Sequence, residues 1–112
     1  KNIFKNQEGV ELFTEPSEDY QSNHWLNAII IHPEKTGNKD REFWRLAFAE
    51  ENIESRPLWK PMHLQPLFAN KMYFGANIAE TLFNNGLCLP SGSNLTDDDK
   101  ERIYKVIKKL IE

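Results

Sequence analysis

A proline-rich stretch from Pro57 to Pro66 gathers side chains that could recognise a small polar molecule. It offers an indole, an ammonium, an imidazole and an amide at Trp59, Lys60, His63 and Gln65. Three prolines in ten residues exclude a regular helix, because proline fixes φ and lacks a backbone N–H. Rigid backbone positions side chains, so the stretch is a candidate binding segment. The alternative is a surface connection whose polar groups simply face water.

A second candidate is the loop from Leu89 to Asn94, which lies just before a predicted helix. Ser91 and a glycine precede the helix start, where backbone N–H groups can hold an anion such as phosphate. The alternative is a purely structural loop in which Ser93, Asn94 and Thr96 cap the helix. Three consecutive aspartates in the first helical turn, at 97–99, would also repel an anion.

Familiar catalytic and metal-binding motifs are absent from the sequence. It has no Gly-rich phosphate loop, no Gly-x-Ser-x-Gly elbow and no His-Glu-x-x-His pair. His24 and His32 flank an apolar run and are interpreted as strand-end residues. Cys88 lies between two leucines and is interpreted as a buried thiol. We therefore expect no catalytic residue and no metal site within the chain.

The elements that must position these segments follow from hydrophobic spacing. The pattern predicts strands at 10–13, 24–32, 53–59 and 87–89, and helices at 41–52, 77–85 and from residue 96 onward. Alternating strands and helices predict an α/β sandwich, α+β in character, with helices packed on one face of a short sheet. The pattern leaves open whether the strands are parallel or antiparallel.

The apolar spacing also predicts which side of each helix is buried. The expected buried residues are Phe43, Trp44, Ala47 and Phe48 in the first helix, Ile78, Ala79, Leu82 and Phe83 in the second, and Ile103, Val106, Ile107 and Leu110 in the third. Gly86 follows the second helix and is predicted to adopt the left-handed conformation that often ends a helix.

Length and composition bound the class of protein. The chain has 112 residues, 39% hydrophobic and 28% charged, which predicts a single globular domain over residues 1–112. A net charge of −3 argues against nucleic-acid binding. Without an apolar membrane span or signal peptide, and with a single cysteine, the chain is expected in the cytoplasm. An opening without methionine would fit a boundary inside a longer protein, with residues 1–20 as a linker or inter-domain segment.

Two long motifs resemble a known family. ESRPLWKPMHLQP at 54–66 and GLCLPSGSNLT at 86–96, separated by a helix, are similar to the C-terminal region of the DegT/StrS sugar aminotransferases. The resemblance extends from about Trp25 to the end of the chain. It implies the small C-terminal domain of an aspartate-aminotransferase type fold.

The resemblance also implies an activity for a larger parent protein. Such enzymes bind pyridoxal phosphate on a lysine of an N-terminal large domain and transfer an amino group from glutamate to a keto-sugar nucleotide, working as homodimers. None of the ten lysines here lies in a context matching the cofactor-lysine motif. We therefore expect the isolated chain to bind no pyridoxal phosphate and to be inactive, with its own large domain as partner.

Carried over position by position, the resemblance places substrate-binding residues in this chain. They are Arg56, Trp59, Lys60, His63 and Gln65, with Ser91 as a further candidate. Lys60 and Arg56 would favour a diphosphate, Trp59 would pack on a sugar or base, and His63 and Gln65 would bond sugar hydroxyls. A structural role for Arg56 and Gln65 stays open. So does a free-standing α/β binding or protein-interaction module without catalysis.

Overall fold

The computed structural model describes residues 2–112 and contains three α-helices and four strands among them. In chain order these are β1 (Val10–Leu12), β2 (Asn27–Ile31), α1 (Arg41–Glu50), β3 (Arg56–Pro57), α2 (Ile78–Asn85), β4 (Gly86–Leu89) and α3 (Asp97–Ile111). Short 3₁₀ turns lie at Asn2–Phe4, Pro33–Lys35, Met62–Leu64 and Pro66–Phe68. None of the helices in this part of the chain is long and apolar enough to cross a membrane.

The strands form one antiparallel sheet in the order β1-β2-β4-β3. Asn27 pairs with Leu89 and Ile30 with Gly86, so the two most apolar strands lie together at the centre. The predicted small α+β fold is therefore confirmed, and the strand direction that the sequence left open is antiparallel.

The main core lies between one face of this sheet and helices α1 and α3. Alternate strand residues point to the same face, so Ile29, Ile31, Leu87 and Leu89 share it. Against them pack Trp44 and Phe48 of α1 and the predicted stripe Val106, Ile107 and Leu110 of α3. On the opposite face Ile30 and Cys88 are also buried, which explains why residues 28–31 and 87–89 are apolar at every position rather than at alternate ones.

Two helix faces differ from the prediction. Phe43 is half-exposed, Ile78 is 70% exposed and Ala79 is exposed, although all three were expected to be buried, and Leu82 and Phe83 are only partly buried. The three exposed residues lie in the first turns of their helices. Spacing alone identifies the stripe but not how far the opposing layer reaches.

The third strand is much shorter than predicted. Instead of residues 53–59 it contains only Arg56–Pro57, at the edge of the sheet, with one further ladder bond from Leu58 N to Gly86 O at 3.2 Å. Pro57 and Pro61 limit the backbone donors, which confines this segment to an edge.

The prediction for Gly86 was wrong in conformation. Its φ of −92° and ψ of 135° are those of a strand, and α2 passes directly into β4 with no residue between Asn85 and Gly86. Glycine is needed here for space, because a Cβ would collide with the side chain of Leu58 and the carbonyl oxygen of Leu82.

Helix α3 begins with a reciprocal cap. Thr96 Oγ1 accepts from Asp99 N at 3.2 Å, while the Asp99 carboxylate accepts from Thr96 N at 3.0 Å. Of the three residues expected to cap this helix, Thr96 supplies the side-chain cap, and Ser93 and Asn94 lie before it.

Candidate functional site

The proline-rich stretch folds into two consecutive tight turns, Met62–Leu64 and Pro66–Phe68, joined at Gln65. Gln65 is extended there, with φ −82° and ψ 140°, and its side-chain Nε2 donates to the carbonyl of Lys60 at 3.2 Å. The amide thus closes the first turn on itself. This is the structural role that the sequence left open for Gln65.

His63 lies at the centre of the segment. Its Nε2 is 2.7 Å from Glu80 Oε1 of α2, and its ring stacks on Tyr73 with centroids 3.8 Å apart and planes at 27°. Only 15% of the His63 side chain is exposed. Tyr73 is fixed in turn by its hydroxyl, which donates to the carbonyl of Ala76 at 2.7 Å. These contacts fasten the segment to α2.

A hollow of about 340 Å³ opens beside His63. Its wall includes the apolar side chains of Met62, Phe68 and Met72. Three polar side chains also line it: His63, Tyr73 and Lys71. A concave, mainly apolar surface with a few convergent polar groups is typical of small-molecule sites.

Trp59 and Lys60, next along the chain from β3, point away from the core. Trp59 is 72% exposed and Lys60 is exposed as well. An indole turned to water is unusual for a side chain of that size, since burial of large aromatic surface is favourable. Both groups are available to a ligand or to another protein surface.

Arg56 is held by a neighbour. Its guanidinium bonds the Glu54 carboxylate through Nη2 at 2.6 Å and Nε at 2.8 Å, and both side chains are more than 70% exposed. Exposed pairs of this kind contribute little to stability. Arg56 can therefore exchange Glu54 for an anionic ligand at small cost.

Ser91 occupies a different place. Its Oγ donates to the carbonyl of Trp25 at 2.6 Å, fastening the loop after β4 to the segment before β2. Ser91 borders a hollow of about 340 Å³ between the turn 52–54 and the start of α3, and this hollow shares no lining residue with the one beside His63. Of the six candidates, only His63 lines the first hollow and only Ser91 lines the second, so the structure does not bring all six together in one cavity.

The start of α3 carries strong negative charge beside that second hollow. A hydrogen bond from Lys100 lowers the pKa of Asp97, and hydrogen bonds from the Thr96 hydroxyl and backbone lower the pKa of Asp99. Both carboxylates stay ionised at neutral pH. They oppose a phosphate at this helix terminus.

The remaining nucleophilic and basic residues do not form a site. Cys88 is buried, and burial raises the pKa of its thiol. His32 lies 3.3 Å from Glu11 and 3.6 Å from Glu34, at the end of β2, and His24 is exposed before it. Among residues 2–112, no group of three or more His, Cys, Asp or Glu side chains could hold a metal ion.

Glu80 and Tyr73 are the site residues that sequence reasoning missed. Glu80 lies in the first turn of α2, where a carboxylate is ordinary because it suits the helix macrodipole, and Tyr73 lies in a loop without periodicity. Their pairing with His63 spans 17 and 10 residues and depends on how the loop folds back. Nothing in residue spacing signals it.

The lysines of the described chain do not build a site for a lysine-bound cofactor. None of them is buried, and several ammonium groups are engaged, such as Lys39 with the carbonyl of Leu110 at 2.9 Å. A lysine that forms such a bond works from an enclosed pocket that favours its neutral form. These residues therefore do not fit pyridoxal phosphate on their own.

Comparison with known proteins gives a consistent result. The family model of the DegT/DnrJ/EryC1/StrS aminotransferases matches residues 1–108. EpsN of Bacillus subtilis (strain 168), provisionally assigned as a pyridoxal phosphate-dependent aminotransferase, is 38% identical over 98% of this chain and 28% of its own length. GDP-perosamine synthase of Vibrio cholerae is 33% identical over 77% of this chain and 23% of its own length.

A solved structure shows the same fold. The aminotransferase TlmJ from Streptoalloteichus hindustanus superposes with a TM-score of 0.80 and 15% identity, over 96% of this chain and 28% of TlmJ. The chain thus spans about a quarter of the length of the relatives it matches, corresponding to their C-terminal portion. It belongs to the DegT/DnrJ/EryC1/StrS aminotransferase family.

Proposed function

We propose that this chain is the substrate-facing small domain of a pyridoxal phosphate-dependent sugar aminotransferase. The parent protein would move an amino group from glutamate to a keto-sugar nucleotide. Family membership supports the reaction class, and the name of one relative, GDP-perosamine synthase, supports a nucleotide-linked sugar. Working partners would be the protein's own large domain and a second copy, in the cytoplasm.

The observation that carries the assignment of this surface is the arrangement around His63. His63 borders a mainly apolar hollow lined by residues between 61 and 79, and the exposed Trp59 and Lys60 precede His63 by four and three residues. Indole packs against sugar rings or bases, and ammonium and guanidinium groups favour phosphate. Lys60 and Arg56 would meet the diphosphate, and Trp59 the sugar or base.

Pyridoxal phosphate, when bound, supplies the amino-transfer chemistry. Because the described lysines do not fit it, its lysine would lie in the rest of the protein. This chain's residues would bind and orient the sugar nucleotide and keep water away from it. Gln65, whose amide closes the first turn on Lys60, would act by holding the segment in shape.

The test is a comparison of the full-length protein with residues 1–112 alone. Both would be incubated with pyridoxal phosphate, glutamate and a keto-sugar nucleotide, and 2-oxoglutarate would be measured. We expect product from the full-length protein and none from the isolated chain. A full-length protein that binds no pyridoxal phosphate would contradict the proposal and favour a binding module instead.

A second arm tests the placement of the diphosphate. In the full-length protein, Lys60→Ala should raise the KM for the sugar nucleotide about tenfold, because a charge-assisted contact to phosphate is lost. Lys105→Ala, at another exposed lysine on α3, is the matched control. Equal KM values for the two variants would remove Lys60 from the site.

A further inference from the structure

Glu80 of α2 and His63 of the candidate segment form a part-buried pair. The Glu80 carboxylate lies 2.7 Å from His63 Nε2, with the two side chains only 33% and 15% exposed. Removing two such polar groups from water is costly unless they are paired. The pair fastens the segment to α2 and also fixes which ring nitrogen of His63 faces the carboxylate.

The contact places a proton on Nε2 of the imidazole. An ionised carboxylate can only accept hydrogen bonds, so the proton between the two groups must be on Nε2. In a neutral imidazole the other nitrogen, Nδ1, then carries a lone pair. Stacking on Tyr73 restricts rotation of the ring about the Cβ–Cγ bond of His63.

Nδ1 remains open to a ligand. Within residues 2–112 it makes no hydrogen bond, and it is not among the buried polar atoms that lack a partner. The ring also borders the hollow, whose other polar contributors are Lys71 and Tyr73. A fixed acceptor in a mainly apolar hollow suits a hydroxyl group.

We propose that Glu80 is a positioning residue for substrate. It holds His63 as the Nε2–H tautomer, so that Nδ1 accepts a hydrogen bond from a hydroxyl of the sugar. This inference rests on the proposed function for the identity of the ligand. The role of Glu80 itself rests on its contact with His63.

The test uses Glu80→Gln in the full-length protein. An amide of nearly the same shape can either accept from or donate to Nε2, so it no longer dictates the tautomer. We expect the KM for the keto-sugar nucleotide to rise about fivefold, the loss of one well-oriented hydrogen bond, with kcat and the KM for glutamate unchanged. Glu101→Gln, an exposed carboxylate on α3, is the matched control.

A spectroscopic measurement separates positioning from general damage. In protein labelled with ¹⁵N at histidine, the His63 signals, identified by their loss in His63→Asn, should show the Nε2–H tautomer in the wild type and a mixture in Glu80→Gln. The tautomer should stay fixed in Glu101→Gln.

The outcomes distinguish the two proposals. Wild-type activity with an unchanged sugar-nucleotide KM in Glu80→Gln would overturn the role of Glu80 alone. The same holds for an unchanged tautomer. A wild type inactive towards every keto-sugar nucleotide tested would overturn the proposed function, and with it the sugar as the ligand of His63.

Discussion

At the scale of single residues, Cys88 shows how position controls reactivity. It lies in the central strand β4 on the face opposite the main core, 8% exposed, and burial raises the pKa of its thiol. The thiolate is the reactive form, so both access and ionisation disfavour reaction. Because folding favours the neutral thiol, its contribution to the free energy of unfolding is complete below the ordinary thiol pKa. That contribution is lost as the pH rises through the raised pKa of the folded state.

We therefore expect Cys88 to react with a thiol reagent at least about tenfold more slowly in the folded chain than in urea, since reaction requires local opening. The colour released by an aromatic disulfide reagent at neutral pH measures both rates. Equal rates would show that β4 is not held in the sheet as described.

The sequence singled out a candidate segment but not its internal contacts. Residue types and three prolines select Trp59, Lys60 and His63 as candidates, and their role in binding stays a prediction. The partners of His63 and Ser91 could not be predicted, because Glu80 and the Trp25 carbonyl lie 17 and 66 residues away. Such contacts depend on how loops cross the fold, which local spacing does not encode.

At the scale of elements, local signals succeeded where a helix has a clear start. The predicted cap Thr96 and the buried stripe of α3 are both present. Signals failed where two elements meet, since Gly86 pairs with Ile30 of β2 and therefore has a strand conformation directly after α2. The third strand is short because Pro57 and Pro61 remove backbone donors.

Replacing Thr96 by alanine should lower the free energy of unfolding by about 1 kcal/mol, because the first turn of α3 loses its side-chain acceptor. Urea unfolding followed by circular dichroism checks this value. Ser93→Ala, three residues earlier and outside the cap, should leave stability unchanged. Similar losses in both variants would argue against the cap.

The cap also predicts an acid dependence. A carboxyl whose pKa is lowered by folding contributes stability that is full above its ordinary pKa and is lost as pH falls through the lowered one. Asp99 has such a lowered pKa through its bonds to Thr96. The stability difference between wild type and Asp99→Asn should therefore shrink on acidification below pH ~4, as measured by urea unfolding at a series of pH values.

At the scale of the whole molecule, the chain is less compact than its length suggests. Its radius of gyration is 15.4 Å, against about 13 Å for a compact domain of this size. The segment between β3 and α2 also exposes large apolar side chains. Four of them are more than 70% exposed: Trp59, Leu67, Met72 and Phe74. Such a surface is typical of a protein contact region.

We expect residues 1–112 alone to self-associate with increasing concentration, because this surface lacks its cover. Sedimentation velocity over a concentration series measures the effect. The double variant Trp59→Ser with Phe74→Ser should shift the chain towards monomer, whereas Tyr104→Ser, a half-exposed residue on α3, should not. A wild-type chain that stays monomeric at high concentration would contradict this expectation.

The direct passage of α2 into β4 has a mechanical consequence for this surface. Because β4 begins at the residue after the last residue of α2, the helix is joined to the central strand without a connecting loop. Glu80 lies on this helix, and its contact with His63 connects the candidate segment to α2 and so to the central strand. A displacement of α2 would therefore be passed on both to the central strand and to the candidate segment that contains His63.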